Sequence, residues 1–196
     1  MENIERNGRE RQSDGGRALA FCRLVLLFFA ISFLGWLTET VYCFFVTGQY
    51  CDRGFLTLPF CTIYGCSILG VYALVGTPRR GGLLLDRVRR RGVRLALYPI
   101  VAALIPTVAE LLTGFFFHRF FGLRLWDYST RPLNLGGYVC LPFSVVWGIL
   151  ITVFMGFLFP PLKRWIHRLP RIPSILLAAG LGVAFLLDFT LKWFWI

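Results

Sequence analysis

Apolar residues follow one another along this chain in five long runs, separated by shorter polar segments. The runs cover Leu24–Val46, Leu56–Gly76, Leu95–Phe117, Val139–Phe159 and Ser174–Ile196. A helix rising ~1.5 Å per residue needs about 20 residues to cross ~30 Å of hydrocarbon, and each run comes close to that length. The runs lack the alternation of barrel strands. The pattern predicts an all-α integral membrane protein with about five transmembrane helices.

Composition supports the membrane class. Of the 196 residues 57% are hydrophobic and only 16% are charged, with a mean hydropathy of +0.66. A soluble domain of this size could not bury so much apolar surface, and runs such as "LVLLFFAISFLGWL" offer no polar face at helical spacing. The lipid bilayer is therefore the expected surrounding partner.

The positive charges predict the orientation. Net charge is +11, and most of the 21 Lys and Arg residues lie before the first run, in segment 77–94, and between the last two runs. By the positive-inside rule we expect a cytoplasmic N-terminus, an external C-terminus and a location in the plasma membrane. The interleaved spans make nucleic acid a poor explanation of the charge, and we expect no nucleic-acid partner.

These features predict five segments. We expect a disordered cytoplasmic tail at 1–17, a first transmembrane hairpin at 18–76 and a basic cytoplasmic loop at 77–94. A second hairpin follows at 95–159 with an outer loop at 118–138, and 160–196 holds a basic loop and the fifth helix. The loop 77–94 is either a solvated segment that fixes topology or a short interfacial helix on anionic lipid.

One phrase is written twice, as "RGFLTLPFCTIYG" from residue 53 and as "GGYVCLPFSVVWG" from residue 136. The register holds at Gly54 and Gly137, Pro59 and Pro142, Tyr64 and Trp147, and Gly65 and Gly148. Proline costs least in the first turn of a helix, so each copy is expected to begin an even-numbered span at its outer end. Both hairpins start in the cytoplasm, and the pattern thus predicts two parallel helical-hairpin repeats plus a fifth helix.

Three carboxylates fall within spans, namely Glu39, Glu110 and Asp188. A central acidic residue costs ~2.5–3.5 kcal/mol, so such groups persist when they are paired, face water or serve a function. Glu39 and Glu110 either share a polar site that opens outward or fasten the bundle by hydrogen bonds. Asp188 and Lys192, four residues apart on one helix, are predicted to form a structural ion pair.

The outer segments add candidate partners for these carboxylates. Arg53, directly before the first copy, is the expected counter-charge of Glu39, which leaves Glu110 freer to meet a ligand together with Asp127 and Asn134. The loop "LRLWDYSTRPLNLGG" also has a purely structural interpretation, because Asp and Asn favour turns and Trp and Tyr favour the membrane interface.

The paired motifs resemble a known family. "GWLTETVY" with "RGFLTLPFCTIYG", and "AELLTG" with "LWDYSTRPLNLGGYVCLPFSVVWG", are similar to the CmpB-like group of ABC-transporter permeases over residues 20 to 160. In this sequence Leu58 and Thr62 depart from the Gly-Pro and Pro-Ile-Tyr-Gly that the pattern leads us to expect. The matching residues are Glu39, Arg53, Gly54, Pro59, Tyr64, Gly65, Glu110, Trp126, Asp127, Tyr128, Pro132, Asn134, Gly137, Pro142 and Trp147. The resemblance implies a small bacterial multi-span membrane protein.

Recognisable catalytic and metal-binding motifs are missing from the sequence. It contains no G-x-x-x-x-G-K-[ST], no G-x-S-x-G and no second histidine at metal-binding distance from His118 or His167. We expect no cofactor, no metal site and no enzymatic activity. The six cysteines form no C-x-x-C pair; most are expected to act as small hydrophobes, and Cys51 and Cys140 could form an outer disulfide.

Two functional classes remain open. The first is a permease or permease subunit for a small solute, whose pathway runs between the hairpins and whose ATPase is another chain. The second is a non-transporting scaffold or regulatory component, or a small intramembrane enzyme acting on lipid head groups through Glu39 or Glu110. Five helices can scarcely enclose a route alone, so a permease implies a homo-oligomer or a partner subunit.

Overall fold

The structure is a computed structural model that describes residues 2–50 and 54–194, with side chains from residue 15 onward. Arg53 and Cys51 lie outside the described residues. The chain is an all-α protein, as predicted, and its described residues also form one small β-hairpin that was not predicted. Its elements are α1 (Glu2–Thr47), α2 (Thr62–Leu74), α3 (Arg91–Phe121), β1 (Asn134–Leu135), β2 (Val139–Cys140), α4 (Leu141–Val153), a π-helical turn (Phe154–Leu158), α5 (Phe159–Arg168) and α6 (Arg171–Phe194).

Four stretches of helix in the described part of the chain are long and apolar enough to cross a membrane. They are Gly15–Thr47, Arg91–Phe121, Leu141–Arg168 and Arg171–Phe194. The second predicted span is shorter than expected, because α2 has only 13 residues. At ~1.5 Å per residue that helix covers about 20 Å, less than the hydrocarbon thickness.

Non-helical backbone replaces the start of the second predicted span. Pro59 does not begin α2, since the Phe60 N–H bonds back to the Leu58 carbonyl (2.7 Å) and the helix starts only at Thr62. The Cys61 N–H donates to the Ser32 carbonyl of α1 (3.0 Å). Irregular backbone at membrane depth requires such internal partners.

Asp188 supplies another of these partners. Its Oδ2 accepts a hydrogen bond from the Leu58 N–H (2.9 Å), which ties α6 to the segment before α2. This differs from the predicted pair of Asp188 with Lys192: among the described residues no ion pair joins the two side chains. Leaving a buried peptide N–H without a partner destabilises a protein by more than an exposed ion pair stabilises it. The Asp188 carboxylate therefore bonds to the backbone N–H.

The second copy of the repeated phrase behaves as predicted. Cys140 is extended, and Pro142 lies in the first turn of α4. Both copies also place a glycine where φ is positive, at Gly54 (106°) and Gly137 (78°), a conformation that other residues rarely adopt. The repeat therefore preserves the approach to each helix, whereas the point at which the helix starts differs.

Helix packing confirms two parallel hairpins. Helix α1 packs against α2 and α6, α2 against α3, and α3 against α4. Where α2 meets α3, Gly70 faces Ile105 and the Tyr98 hydroxyl donates to the Gly76 carbonyl (2.8 Å), so these two helices are antiparallel. Because α2 is also antiparallel to α1, helices α1 and α3 point the same way.

One polar segment differs from the sequence-based expectation, and a second agrees with the loop rather than the helix alternative. Helix α1 already begins at Glu2, within the segment 1–17 expected to be a disordered tail, where Glu, Arg and Gln have good helix propensity. In the basic loop, residues 77–90 form turns and a bridge between Gly76 and Gly81 rather than an interfacial helix. A side chain at Gly82 would lie 2.5 Å from the Gly76 nitrogen, so the loop folds tightly on itself.

Candidate functional site

Within each hairpin, the two helices pack against each other at an equivalent glycine. A Cβ added at Gly65 would meet Ser32 Oγ at 2.4 Å, and one added at Gly148 would meet the Pro99 carbonyl oxygen at 2.6 Å. Ser32 in α1 occupies the place that Ala103 holds in α3, since Ala103 is the other close neighbour of Gly148 (3.0 Å). The glycine therefore allows α2 to approach α1 closely, and α4 to approach α3 closely.

One residue before each glycine lies an aromatic side chain beside a glutamate. The Tyr64 hydroxyl donates a hydrogen bond of 2.6 Å to Oε1 of Glu39. Gly35 makes room for the tyrosine, because a Cβ there would lie 2.4 Å from the ring. In the second hairpin Trp147 takes the place of Tyr64, and its indole N–H lies beside the Glu110 carboxylate.

The second pair is looser than the first. Nε1 of Trp147 is buried and makes no hydrogen bond of good geometry, although Glu110 is its neighbour. The two aromatic rings meet edge to face, with 5.4 Å between the centroids of Tyr64 and Trp147. This contact brings the two copies of the repeat together.

We call Glu39, Tyr64, Glu110 and Trp147 the carboxylate cluster. Glu39 and Glu110 are brought near each other by the contact between the rings of Tyr64 and Trp147, their respective neighbours. Within the described ranges neither glutamate forms an ion pair. The predicted pair of Glu39 with Arg53 involves a residue outside those ranges and stays a prediction.

Buried hydroxyl groups surround the cluster and were missed by the sequence analysis. Thr107 of α3 donates to Ser144 Oγ of α4 (2.9 Å). Ser32, Thr40 and Ser67 are buried, and their hydroxyls have no partner among the described residues. The polar layer is thus larger than its two carboxylates. The spacing of seven residues between Ser32 and Glu39 could have indicated that both lie on the same side of α1.

The outer loop holds Asp127 and Asn134 in turns. Oδ1 of Asp127 accepts from the Ser129 N–H (2.8 Å), and Oδ2 pairs with Arg124 (3.1 Å). The Ser129 N–H and then the Arg124 guanidinium hold the pKa of Asp127 below its usual range. Asn134 donates to the Arg131 carbonyl (2.8 Å) and accepts from a backbone N–H. Their polar contacts therefore stay within the loop, and neither contacts the cluster.

The same loop packs against α3 through its aromatic residues. Trp126 Nε1 donates to the Tyr138 carbonyl (2.7 Å), and the Tyr138 hydroxyl shares a hydrogen bond of 2.8 Å with His118. Both rings contact α3 at Gly114, where a Cβ would lie 3.1 Å from Tyr138. Because Gly114 is one turn beyond Glu110, the loop covers the outer end of the helix that carries that carboxylate.

The cysteines are paired differently from the expected bridge. Cys140 is a buried free thiol, and Cys22, Cys61 and Cys66 are also free, whereas Cys43 is disulfide-bonded. The possible bridge between Cys51 and Cys140 is therefore wrong, because the thiol of Cys140 is free. Cys43 lies in the last part of α1.

Comparisons with known proteins give one match. A family model described as "Putative ABC-transporter type IV" matches residues 26–193, which covers all of the elements from the body of α1 to the end of α6. No curated protein and no solved structure matches the chain.

Proposed function

Since the chain belongs to the CmpB-type family of ABC transporters, we propose that it is a membrane-spanning permease subunit for a small solute. The family and the long apolar helices establish a membrane protein and a transporter component. The further proposal is that the solute passes between the two hairpins and that a separate chain supplies the ATPase.

The observation that supports this proposal is the carboxylate cluster. Two glutamates, buried hydroxyl groups and two aromatic rings occupy the inside of the bundle where the hairpins meet. Polar groups in hydrocarbon are costly, and they are retained where they line a pathway or bind a ligand. Convergent polar groups among aromatic rings are also typical of small-molecule sites.

We assign different roles to the two glutamates. Glu39 already accepts the Tyr64 hydroxyl at 2.6 Å, so this carboxylate is fixed in place. Among the described residues, the polar group beside Glu110 is the poorly aligned Trp147 indole, which leaves the carboxylate oxygens available to a hydrogen-bond donor or a cationic group of the solute. Asp127 and Asn134 then contribute indirectly, by holding the loop that covers this end of α3.

The energy source and the orientation complete the proposal. The sequence has no phosphate-binding P-loop, so ATP hydrolysis requires a partner. We place the N-terminus and the loop 77–90 in the cytoplasm, and the loop 122–140 on the outer side of the plasma membrane, from the arginine distribution. A second copy of the chain or another permease subunit would complete the wall of the pathway.

The first test identifies the partner. The affinity-tagged full chain is isolated from its native membrane in mild detergent, and the co-isolated proteins are identified by mass spectrometry. We expect a nucleotide-binding subunit in stoichiometric amount, with ATP hydrolysis in the isolated complex. A protein that is isolated without such a subunit, carrying only lipid, would contradict the permease proposal and favour the scaffold or lipid-acting alternative.

The second test concerns Glu110. In the complex reconstituted into lipid nanodiscs, Glu110→Gln is compared with Leu112→Ala, a lipid-facing change on the same helix (62% exposed). We expect Glu110→Gln to lower ATP hydrolysis at least about tenfold, the effect of ~1.4 kcal/mol, and Leu112→Ala to leave it unchanged. Equal hydrolysis by Glu110→Gln and the unmodified chain would refute the role of this carboxylate.

A further inference from the structure

We propose that α5 and the start of α6 bind the head groups of anionic phospholipids. The surface consists of Lys163, Arg164, Arg168 and Arg171, together with the exposed ring of Trp165, and we call it the α5 basic surface. It lies at the end of the bundle opposite the outer loop, and it is independent of the carboxylate cluster and of the proposed transport role.

The length of the helix places this surface at the head groups. The continuous helical stretch Leu141–Arg168 has 28 residues. At ~1.5 Å per residue it is about 42 Å long, whereas the hydrocarbon layer is only ~30 Å thick. About eight residues must therefore extend beyond the hydrocarbon. Leu141 begins in the outer part of the bundle, so the residues that extend are those of α5.

The side chains of α5 are divided between two faces. Phe159 and Ile166 are buried against the bundle, whereas Arg164 and Arg168, one turn apart, are exposed. Trp165 is 68% exposed beside them. A helix with one apolar face, one cationic face and an exposed tryptophan is typical of segments that lie in the interface of a membrane.

The cations at this end lack carboxylate partners in the described part of the chain, where the recorded ion pair is Arg124 with Asp127 in the outer loop. Lys163 instead donates to the Tyr72 hydroxyl and lies 4.5 Å from the centre of its ring. Arg171 lies against α1, where its guanidinium would be 2.7 Å from a Cβ at Gly15. Positive charge is thus gathered at this end, and none of the side chains described from residue 15 onward forms an ion pair with it.

Arg23 supports the same conclusion from the neighbouring helix. Its Nη2 donates to the Leu169 carbonyl (3.1 Å), directly between α5 and α6, whereas its Nε is buried without a partner. Among the described side chains, no carboxylate neutralises this group of cations, and an anionic ligand at the surface would do so. Phosphate diesters of anionic lipid lie at the level of the membrane interface, where an exposed tryptophan ring such as that of Trp165 is favoured.

The test uses the full chain in detergent micelles and follows tryptophan fluorescence as lipid is added. Phosphatidylglycerol with brominated acyl chains quenches nearby tryptophans, and brominated phosphatidylcholine controls for lipid contact without charge. We expect a component of quenching that is specific to phosphatidylglycerol, lost in Trp165→Phe and weakened at high salt. Equal quenching by the two lipids would overturn the proposal.

Charge variants sharpen the result. Arg164→Gln/Arg168→Gln should weaken the apparent affinity for phosphatidylglycerol about 30-fold, the effect of two charges near a surface. The matched control Arg119→Gln/Arg131→Gln removes the same charge at the other end and should leave the affinity unchanged. An equal loss in both variants would overturn the proposed location.

Two additional measurements separate lipid from other anions. Inorganic phosphate at millimolar concentration should not displace the brominated lipid, and displacement would indicate a site for a free anion. If the variant retained its affinity for phosphatidylglycerol but lost a co-isolated protein, the surface would be a protein-docking site instead. Both outcomes contradict the proposal, and neither bears on whether the chain is a permease.

Discussion

The hydrogen bond between Tyr64 and Glu39 provides the most direct test of how the carboxylate cluster is built. Tyr64→Phe removes the hydroxyl and leaves the ring, so the edge-to-face contact with Trp147 at 5.4 Å and the fit against Gly35 are kept. The change therefore isolates the bond of 2.6 Å to the carboxylate. It also leaves Glu39 inside the bundle without a hydrogen-bond donor.

The expected loss follows from the charge of the acceptor. A hydrogen bond to a charged group contributes about 1.5–3 kcal/mol, whereas a bond between neutral groups contributes about 0.5–1.5 kcal/mol. Tyr64→Phe should therefore lower the free energy of unfolding by about 1.5–3 kcal/mol in the unmodified chain and by about 0.5–1.5 kcal/mol when Glu39→Gln is already present. The difference between the two losses measures the charge-assisted part of the bond.

The assay is reversible unfolding in mixed micelles of a mild detergent and dodecyl sulfate, followed by circular dichroism. Tyr42→Phe is the matched control, because Tyr42 is 60% exposed on the lipid side of α1, and it should change the free energy of unfolding by less than about 0.5 kcal/mol. Equal losses for Tyr64→Phe with and without Glu39→Gln would refute the charge-assisted part of the bond, and no loss in either background would refute the bond itself. A loss for Tyr42→Phe as large as that for Tyr64→Phe would show that the assay responds to any lost hydroxyl.

Three further predictions use other parts of the chain. In the same unfolding assay, Gly148→Ala should lower the free energy of unfolding by about 1–3 kcal/mol, because its Cβ would lie 2.6 Å from a backbone oxygen of α3. The control Gly180→Ala has open space around it, so it should leave the free energy of unfolding unchanged or raise it by up to about 1 kcal/mol. Asp127 has a lowered pKa in the folded loop, so its contribution to the stability of the loop is fully present above the ordinary carboxyl pKa and is lost as pH falls through the folded value. Limited proteolysis of the outer loop should therefore accelerate below that pH, whereas the Asp127→Asn loop should be cut at the same rate at every pH. Alkylation of the denatured chain followed by mass spectrometry should label Cys140 without reduction and Cys43 only after reduction, and labelling of Cys43 in the unreduced protein would contradict the disulfide.

The sequence predicted the helical class and the parallel hairpins, because the length of apolar runs and the register of the repeat can be read from local composition. It did not predict that α2 would begin three residues after Pro59, since that start depends on two distant partners, the Ser32 carbonyl and Asp188. A proline permits a helix to begin but does not require it to.

The partners of the carboxylates were also beyond local reasoning. Tyr64 was visible as part of the repeated phrase, yet its bond to Glu39 depends on the packing of α1 against α2 at Gly35. The choice of Asp127 and Asn134 as ligand groups followed from their polarity. In the structure the Asp127 carboxylate and the Asn134 amide make hydrogen bonds within the turns of the loop. The turn preferences of Asp and Asn had already indicated this structural role.

The parallel arrangement of the hairpins has a consequence for any transport cycle. When two halves of a transporter point in opposite directions, exchanging their conformations converts an outward-open state into an inward-open one of equal energy. Helices α1 and α3 point the same way, so exchanging the hairpins of this chain leaves the opening on the same side. Its two end states would be chemically different arrangements with unequal energies. Conversion between the two states would then depend on energy from a partner or a ligand, because the fold itself does not provide two states of equal energy.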